Sequence, residues 1–222
     1  KSIACIALIL AIPSKAETNL KLPELTDDYK MKTTEEKLLG SNENGIGLEA
    51  GQKVSKFTTK DIEGNSVSWR SLKKSGPLLI VFYRGGWCPF CNLQIRQLTE
   101  AWPEFKKRGI TPVLISVDEV DGTALAKKTY DIPFPVLSDS DLEAHEAFEV
   151  VLPIDESTYE QYKKWGIDLE QWSKREHHTI AVTSIFIVNK KGRVDWAHTS
   201  TSYDTRPSTK QLLSTIDDWK SK

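Results

Sequence analysis

The stretch between residues 78 and 107 constrains the fold most. Leu78 to Tyr83 is an unbroken apolar run after Gly76-Pro77, short enough for a strand buried on both faces. Arg84-Gly85-Gly86-Trp87 then turns the chain, and Cys88-Pro89-Phe90-Cys91 opens a helix whose spacing predicts an end near Lys107. Pro89 suits a first helical turn because it has no N–H to leave unpaired there. Pro103 falls inside the same helix and should kink it. Cys91, Ile95, Leu98, Trp102 and Phe105 recur at steps of four and three, which is one helix face. Cys91 therefore extends the core stripe, while Cys88 stands at the helix mouth.

Two cysteines at the start of a helix point to thiol chemistry. Unpaired N–H groups and the positive end of the helix dipole stabilise a thiolate, and the thiolate is the reactive form. On this argument Cys88 is the more exposed and more acidic sulfur, so Cys88 attacks and Cys91 resolves. A zinc site would need two further ligands, and the neighbouring His177 and His178 lack the spacing of a finger. A disulfide kept only for stability gains most by closing a long loop, and this loop is nearly the shortest there is. The pair reads instead as a reversible disulfide, Cys88–Cys91.

The beginning of the chain reads as a targeting segment. Lys1, the apolar run Ile3 to Ile12 and Ser14-Lys15-Ala16 follow the charged, apolar and small-residue order of a signal peptide over residues 1–16. The apolar run is about half of the roughly 20 residues a spanning helix needs. The expectation is export to the periplasm or outside the cell, with Cys5 removed and only Cys88 and Cys91 remaining. Thirty basic against thirty-one acidic residues leave no field to recruit nucleic acid or an anionic membrane. A length of 222 residues suits one domain with a substantial core.

The rest of the chain supplies the partners of the central strand. Residues 17–50 form an N-terminal extension, with a short helix expected over Asp27 to Leu39 and a flexible break from Gly40 to Gly47. Strands are expected at Lys56 to Lys60 and Val67 to Trp69, around the turn Asp61-Ile62-Glu63-Gly64-Asn65. Val113 to Val117 is a second buried strand, followed by a helix at Asp121 to Tyr130, a strand at Phe134 to Leu137 and a helix at Asp141 to Phe148. Residues 152–178 interrupt the rhythm as a polar, aromatic-rich insertion of one or two helices. Its Tyr159, Tyr162, Trp165 and Trp172 are expected to pack among themselves; a pocket cap or a contact between two copies in a homodimer is the alternative. Ile180 to Asn189 and Arg193 to His198 make a hairpin through Lys190-Lys191-Gly192, and Thr209 to Trp219 closes the chain as a helix. Alternating strands and helices, then a hairpin, predict an α/β sandwich: a mixed central sheet flanked by helices. His145 and His198 show no partner in the sequence.

Several of these segments together resemble the AhpC/TSA redoxins, in the peroxiredoxin-like branch with an RGGWCPFC-type signature. The resemblance rests on Phe57, Asp61 and Gly64, on Arg84-Gly85-Gly86-Trp87-Cys88-Pro89-Phe90-Cys91, on Ser116-Val117-Asp118, on Phe134 to Asp139 and on the Ile185-to-Gly192 hairpin. It covers roughly residues 50 to 220. It implies a thioredoxin-like domain over 51–222 behind a peroxiredoxin-type extension, with no metal or organic cofactor. It also implies a hydroperoxide or disulfide substrate and a thioredoxin-like or small-thiol reductant. In the family's Pro-x-x-x-Thr-x-x-Cys register Cys91 takes the peroxide-attacking position, Cys88 replaces the Thr and Arg84 the Pro. The family register and the helix-mouth argument thus assign attack to different sulfurs. Thioredoxins carry a buried Asp where this chain has Phe82, and a cis-Pro where it has Thr183. Supporting roles are expected for Arg84, as positive charge near the thiolate, for Trp87, as a shield of the sulfurs, and for Thr183, as part of the site lining. A thiol peroxidase is the expected activity, with thiol–disulfide exchange and a non-catalytic binding fold as alternatives.

Overall fold

Leu78–Phe82 forms the strand that its apolar run predicts, and side-chain alternation along it sorts the core into two layers. Leu79, Val81 and Tyr83 face one layer, with Cys91, Ile95 and Leu98 of the following helix. Leu78, Ile80 and Phe82 face the other, with Phe148 and Phe186. The structure is a computed structural model that describes residues 19–221. The segment read as a signal peptide, Cys5 included, lies outside the described residues.

The central sheet runs Val194–Ser200, Thr183–Val188, Leu78–Phe82, Thr111–Ser116, Val136–Ser138, Thr58–Lys60, Ser66–Ser68. Leu78–Phe82, Thr111–Ser116 and Val136–Ser138 are mutually parallel, as strands joined by helices must be. The outer pairs are antiparallel. Helices Pro89–Glu100, Val120–Thr129 and Thr209–Lys220 bring their apolar residues against the sheet. This is the expected mixed α/β sandwich.

Local differences from the sequence reading have physical causes. The helix after the cysteines does more than kink. It stops at Glu100 and restarts as Trp102–Lys107, with Ala101 at φ −84°, ψ 1° between them. Pro103 has no N–H to return to the Thr99 carbonyl, so the ladder breaks there. The expected strand Ile180 to Asn189 is cut at Val182, whose N–H goes to the Val150 carbonyl at 2.9 Å. Thr179–Ala181 pairs with Val151–Pro153, while Thr183–Val188 enters the central sheet. The insertion holds two helices, Glu156–Lys164 and Leu169–Ser173, each N-capped by an aspartate, Asp155 and Asp168.

The largest correction concerns Asp27 to Leu39. No helix forms there beyond the single 3-10 turn Glu36–Leu38. Lys32–Thr33 is instead a short strand parallel to Thr205–Arg206. The Lys32 N–H donates to the Asp204 carbonyl and the Thr34 N–H to the Arg206 carbonyl, each at 2.8 Å. The β-branched pair Thr33-Thr34 favours the extended state, and tertiary hydrogen bonds outweigh weak local helix propensity. The extension thereby anchors the chain around Arg206.

Phe186 lies fully buried, with ring centroids 5.0 Å from Phe148 and 6.1 Å from Phe82. Phe186→Ala should cost about 3–5 kcal/mol in urea unfolding. Leu38→Ala, at an exposed position, should stay within about 0.5 kcal/mol of the parent. Equal losses at both positions would contradict this layering.

Candidate active site

The turn between strand and helix is held from three sides. The Gly86 N–H donates to Asp118 Oδ2 at 2.7 Å, and Asn92 Nδ2 donates to the Gly86 carbonyl at 2.7 Å. The Cys88 N–H closes the turn on the Gly85 carbonyl at 3.1 Å. Gly85 has φ +150°, and a Cβ there would come within 2.4 Å of Trp87 Nε1 and 2.7 Å of Asp118 Oδ1. Only glycine fits. Cys88 is then the N-cap residue of Pro89–Glu100, and its thiol makes no capping bond.

Both cysteines are free thiols and both are buried, Cys88 at 3% and Cys91 at 0% exposure. Cys88 lines a surface cleft; Cys91 does not. The surroundings of the two sulfurs run against the expectation that Cys88 is the acidic one. Arg206 Nη2 reaches to 3.7 Å from Cys91 Sγ, both groups being buried. Burial alone would raise the Cys91 thiol, but the hydrogen bond from Cys88, the Arg206 charge and the Arg84 backbone N–H bring it down to about 6. Cys88 moves the other way, pushed well above its ordinary value by its hydrogen bond to Cys91, by burial and by the charge on Cys91. A full guanidinium charge in a dry site outweighs the fractional charge of a helix end. These surroundings favour Cys91 as the more acidic sulfur, the position that the register of the family resemblance also gives to attack.

Arg206 escaped the sequence reading. It sits 115 residues beyond Cys91, in no motif, and reaches the sulfur only because the N-terminal extension pairs with its strand. Its Nη1 donates to the Ser202 and Thr205 carbonyls at 3.0 and 2.7 Å, which fixes the guanidinium.

The three residues expected to support the site fare differently. Arg84 acts on Cys91 through its backbone N–H and its charge. Its Nη2 donates to the Thr201 carbonyl at 3.3 Å, and its guanidinium lies 5.8 Å from the Tyr203 ring centroid. Trp87 is buried beside Cys88, its ring 5.6 Å from that of Tyr162. Thr183 does not line the cleft: its hydroxyl donates to the Ser200 carbonyl at 2.7 Å, across the hairpin. The described residues contain no cis peptide bond. His145 and His198 find partners elsewhere, His145 Nδ1 at 2.6 Å from Asp139 and His198 Nε2 at 3.5 Å from the Thr34 hydroxyl.

The cleft over Cys88 measures about 740 Å³. One wall is the aromatic row Tyr29, Phe90 and Tyr203, with centroids 5.7 and 5.3 Å apart. A second aromatic row in the lining is Trp87, Tyr162 and Trp165, at 5.6 and 5.8 Å. The insertion's aromatics therefore do not simply pack among themselves, as expected. Tyr162, Trp165 and Trp172 line the cleft, Trp165 at 66% exposure and Trp172 buried at its base, while Tyr159 stacks on His178 away from it. A second group missed from sequence is Asp118, fully buried under the glycine turn. Burial pushes its carboxyl up to about 7, against the Gly86 N–H and the Ser116 hydroxyl and with the negative charges of Cys91 and Asp121 adding to the rise. Phe82, at the position where a thioredoxin has its acid, points into the other core layer.

Residues 50–197 match the model of the AhpC/TSA family. The chain belongs to that family. Among its relatives, the thiol-disulfide oxidoreductase ResA of Bacillus thuringiensis is 28% identical over 105 residues, which is 47% of this chain and 60% of the relative. Peroxiredoxin Q of Populus jackii, a chloroplastic protein, is 26% identical over 147 residues, 66% of this chain and 58% of the relative. The chain thus spans about 60% of the length of these relatives. The crystal structure of peroxidoxin BcpB from Mycobacterium tuberculosis shares the fold with TM-score 0.59 and 18% identity, over 76% of this chain and 96% of that one.

Arg206→Met should raise the Cys91 thiol and leave at least about tenfold less thiolate just below neutral pH. Ultraviolet thiolate absorbance against pH, read on a Cys88→Ser background, checks this. An unchanged titration would remove Arg206 from the site.

Proposed function

We propose that the protein is a thiol-dependent peroxidase in which Cys91 attacks the hydroperoxide and Cys88 resolves the product. The observation that carries this reading is the buried Cys91–Arg206 contact at 3.7 Å, which keeps this sulfur a thiolate at neutral pH. The Cys91 sulfur attacks the terminal peroxide oxygen, the O–O bond breaks, and the departing alkoxide takes a proton. Cys91 becomes a sulfenic acid. Arg206 and the Arg84 N–H, already aimed at the sulfur, stand where negative charge moves onto the leaving oxygen. Cys88 keeps its proton as a thiol until this point. It then attacks the sulfenic sulfur, the S–S bond forms, and water leaves with the Cys88 proton.

A thioredoxin-like or small thiol returns the pair to its reduced form. Its thiolate attacks Cys88, because Cys88 faces the cleft and Cys91, the more acidic thiol, is the better leaving group. A cleft of about 740 Å³ between aromatic walls is far larger than hydrogen peroxide needs, and suits a hydroperoxide with an organic body. The placement of Cys88 on the cleft also favours a second reading, thiol–disulfide exchange, in which an incoming disulfide meets the same sulfur.

Stopped-flow reaction with hydroperoxide separates the two. Cys88→Ser should oxidise once to a sulfenic acid and then stall, Cys91→Ser should stay silent, and the parent should show the two-hydrogen mass loss of a Cys88–Cys91 disulfide. Rates in every variant no faster than an unperturbed thiol would reject the peroxidase and leave disulfide exchange.

A further inference from the structure

The scheme above leaves one buried ionisable group beside the sulfurs unused. Asp118 lies two residues past the Thr111–Ser116 strand, at 0% exposure. Its Oδ2 accepts the Gly86 N–H, while Oδ1 has no partner and lies against Gly85 beside the equally unpartnered Trp87 Nε1. The groups that act on it are the Cys91 thiolate, the Tyr83 hydroxyl, itself buried without a partner, the Ser116 hydroxyl and the Asp121 carboxylate. The two charges among them are negative. An ionised Asp118 would be a second buried anion near the proposed thiolate, eased only by the Gly86 N–H and the Ser116 hydroxyl, and like charges so placed cannot both form cheaply.

We propose that Asp118 is the proton store of the Cys91 site: it holds a proton while Cys91 is a thiolate and releases it as Cys91 is oxidised. The inference rests on Cys91 as the charged sulfur of the proposed function. In the oxidation step the Cys91 S–O bond forms, the peroxide O–O bond breaks, and the alkoxide gains one proton while Asp118 loses one. The buried site keeps the same net charge, moved from sulfur to carboxylate. Burial that lifts the carboxyl to about 7 is in keeping with this, because losing the thiolate charge lets the carboxyl ionise more readily near neutrality. Asp118 acts through Cys91 and is a positioning residue. Asp118 follows the neighbouring parallel strand and holds the glycine turn from which Cys88 and Cys91 continue.

The sign of the linkage follows from counting protons. Reduced protein holds protons on Cys88 and Asp118; the disulfide form holds neither. Reduction therefore takes up about two protons per disulfide in the parent and about one in Asp118→Asn, so the midpoint potential of the variant falls about half as steeply with pH. Asparagine can still accept the Gly86 N–H through its amide oxygen, and thermal unfolding verifies that the variant stays folded. Redox-difference infrared spectra just below neutral pH, taken on the full chain with a small disulfide as oxidant, provide the direct readout. A protonated-carboxyl band should be present in reduced protein, be lost on oxidation and be missing from Asp118→Asn. In Cys91→Ser, where no thiolate adds to the effect of burial, the band should disappear at a lower pH than in reduced parent protein. A carboxyl band untouched by oxidation, or equal pH slopes in parent and variant, would overturn the proposal. Because the oxidant is a disulfide, a protein that fails with peroxide but shows this band keeps its proton store and loses only the peroxidase reading.

Discussion

A guanidinium placed 3.7 Å from a buried sulfur decides how charge is divided in this site. Burial alone would hold Cys91 as a neutral thiol, and the hydrogen bond from Cys88 and the Arg206 charge both act against it. In the proposed function Cys91 is the anion and Cys88 the proton carrier, the directions in which their surroundings push them. The contact depends on distant parts of the chain. Thr34 and Lys32 clamp the strand Thr205–Arg206, and the salt bridge Lys32–Asp204 at 2.8 Å sits at its start. The N-terminal extension is thus part of the candidate site: Leu22 touches the glycine turn, Tyr29 packs on Phe90, and Lys32–Thr33 pairs with the strand of Arg206.

The same geometry divides access from reactivity. Cys88 opens on the cleft and Cys91 does not, so in the proposed function bulky partners meet one sulfur while the charge resides on the other. The glycine turn makes this possible. It brings the backbone close enough for Asp118 to hold Gly86, and for Trp172 and Leu22 to cover it. Any side chain at Gly85 would collide with Asp118 and Trp87. Around the motif's own Trp87 and Phe90, the walls of the cleft come from three further places, the extension, the 152–178 insertion and the loop carrying Tyr203.

Local pattern made the scaffold legible. The apolar run Leu78 to Tyr83, the glycine pair and the stripe from Cys91 to Phe105 contain strand, turn and helix in one segment, and periodicity alone places Cys91 in the core. Long-range electrostatics stayed hidden. Nothing near Arg206 distinguishes it from a surface arginine, and its strand is two residues long, below what periodicity can detect. Asp118 belonged to a recognised Ser-Val-Asp pattern, yet its burial depends on a turn 32 residues earlier. The missing helix at Asp27 to Leu39 has the same origin, since its backbone bonds go to residues 204 to 206. The helix-dipole argument was sound physics applied without the larger charge that overrides it.

The central claim is that Cys91 is the thiolate and Cys88 the thiol. An NMR titration of the reduced protein with labelled cysteine Cβ carbons, assigned with Cys88→Ser and Cys91→Ser, tests it at each sulfur separately. The account predicts that the Cys91 signal titrates with a midpoint of about 6. It also predicts that Cys88 stays flat well past the ordinary range of a cysteine thiol. A Cys88 signal that titrates first, with Cys91 protonated through neutrality, would contradict it and return the nucleophile to the helix mouth.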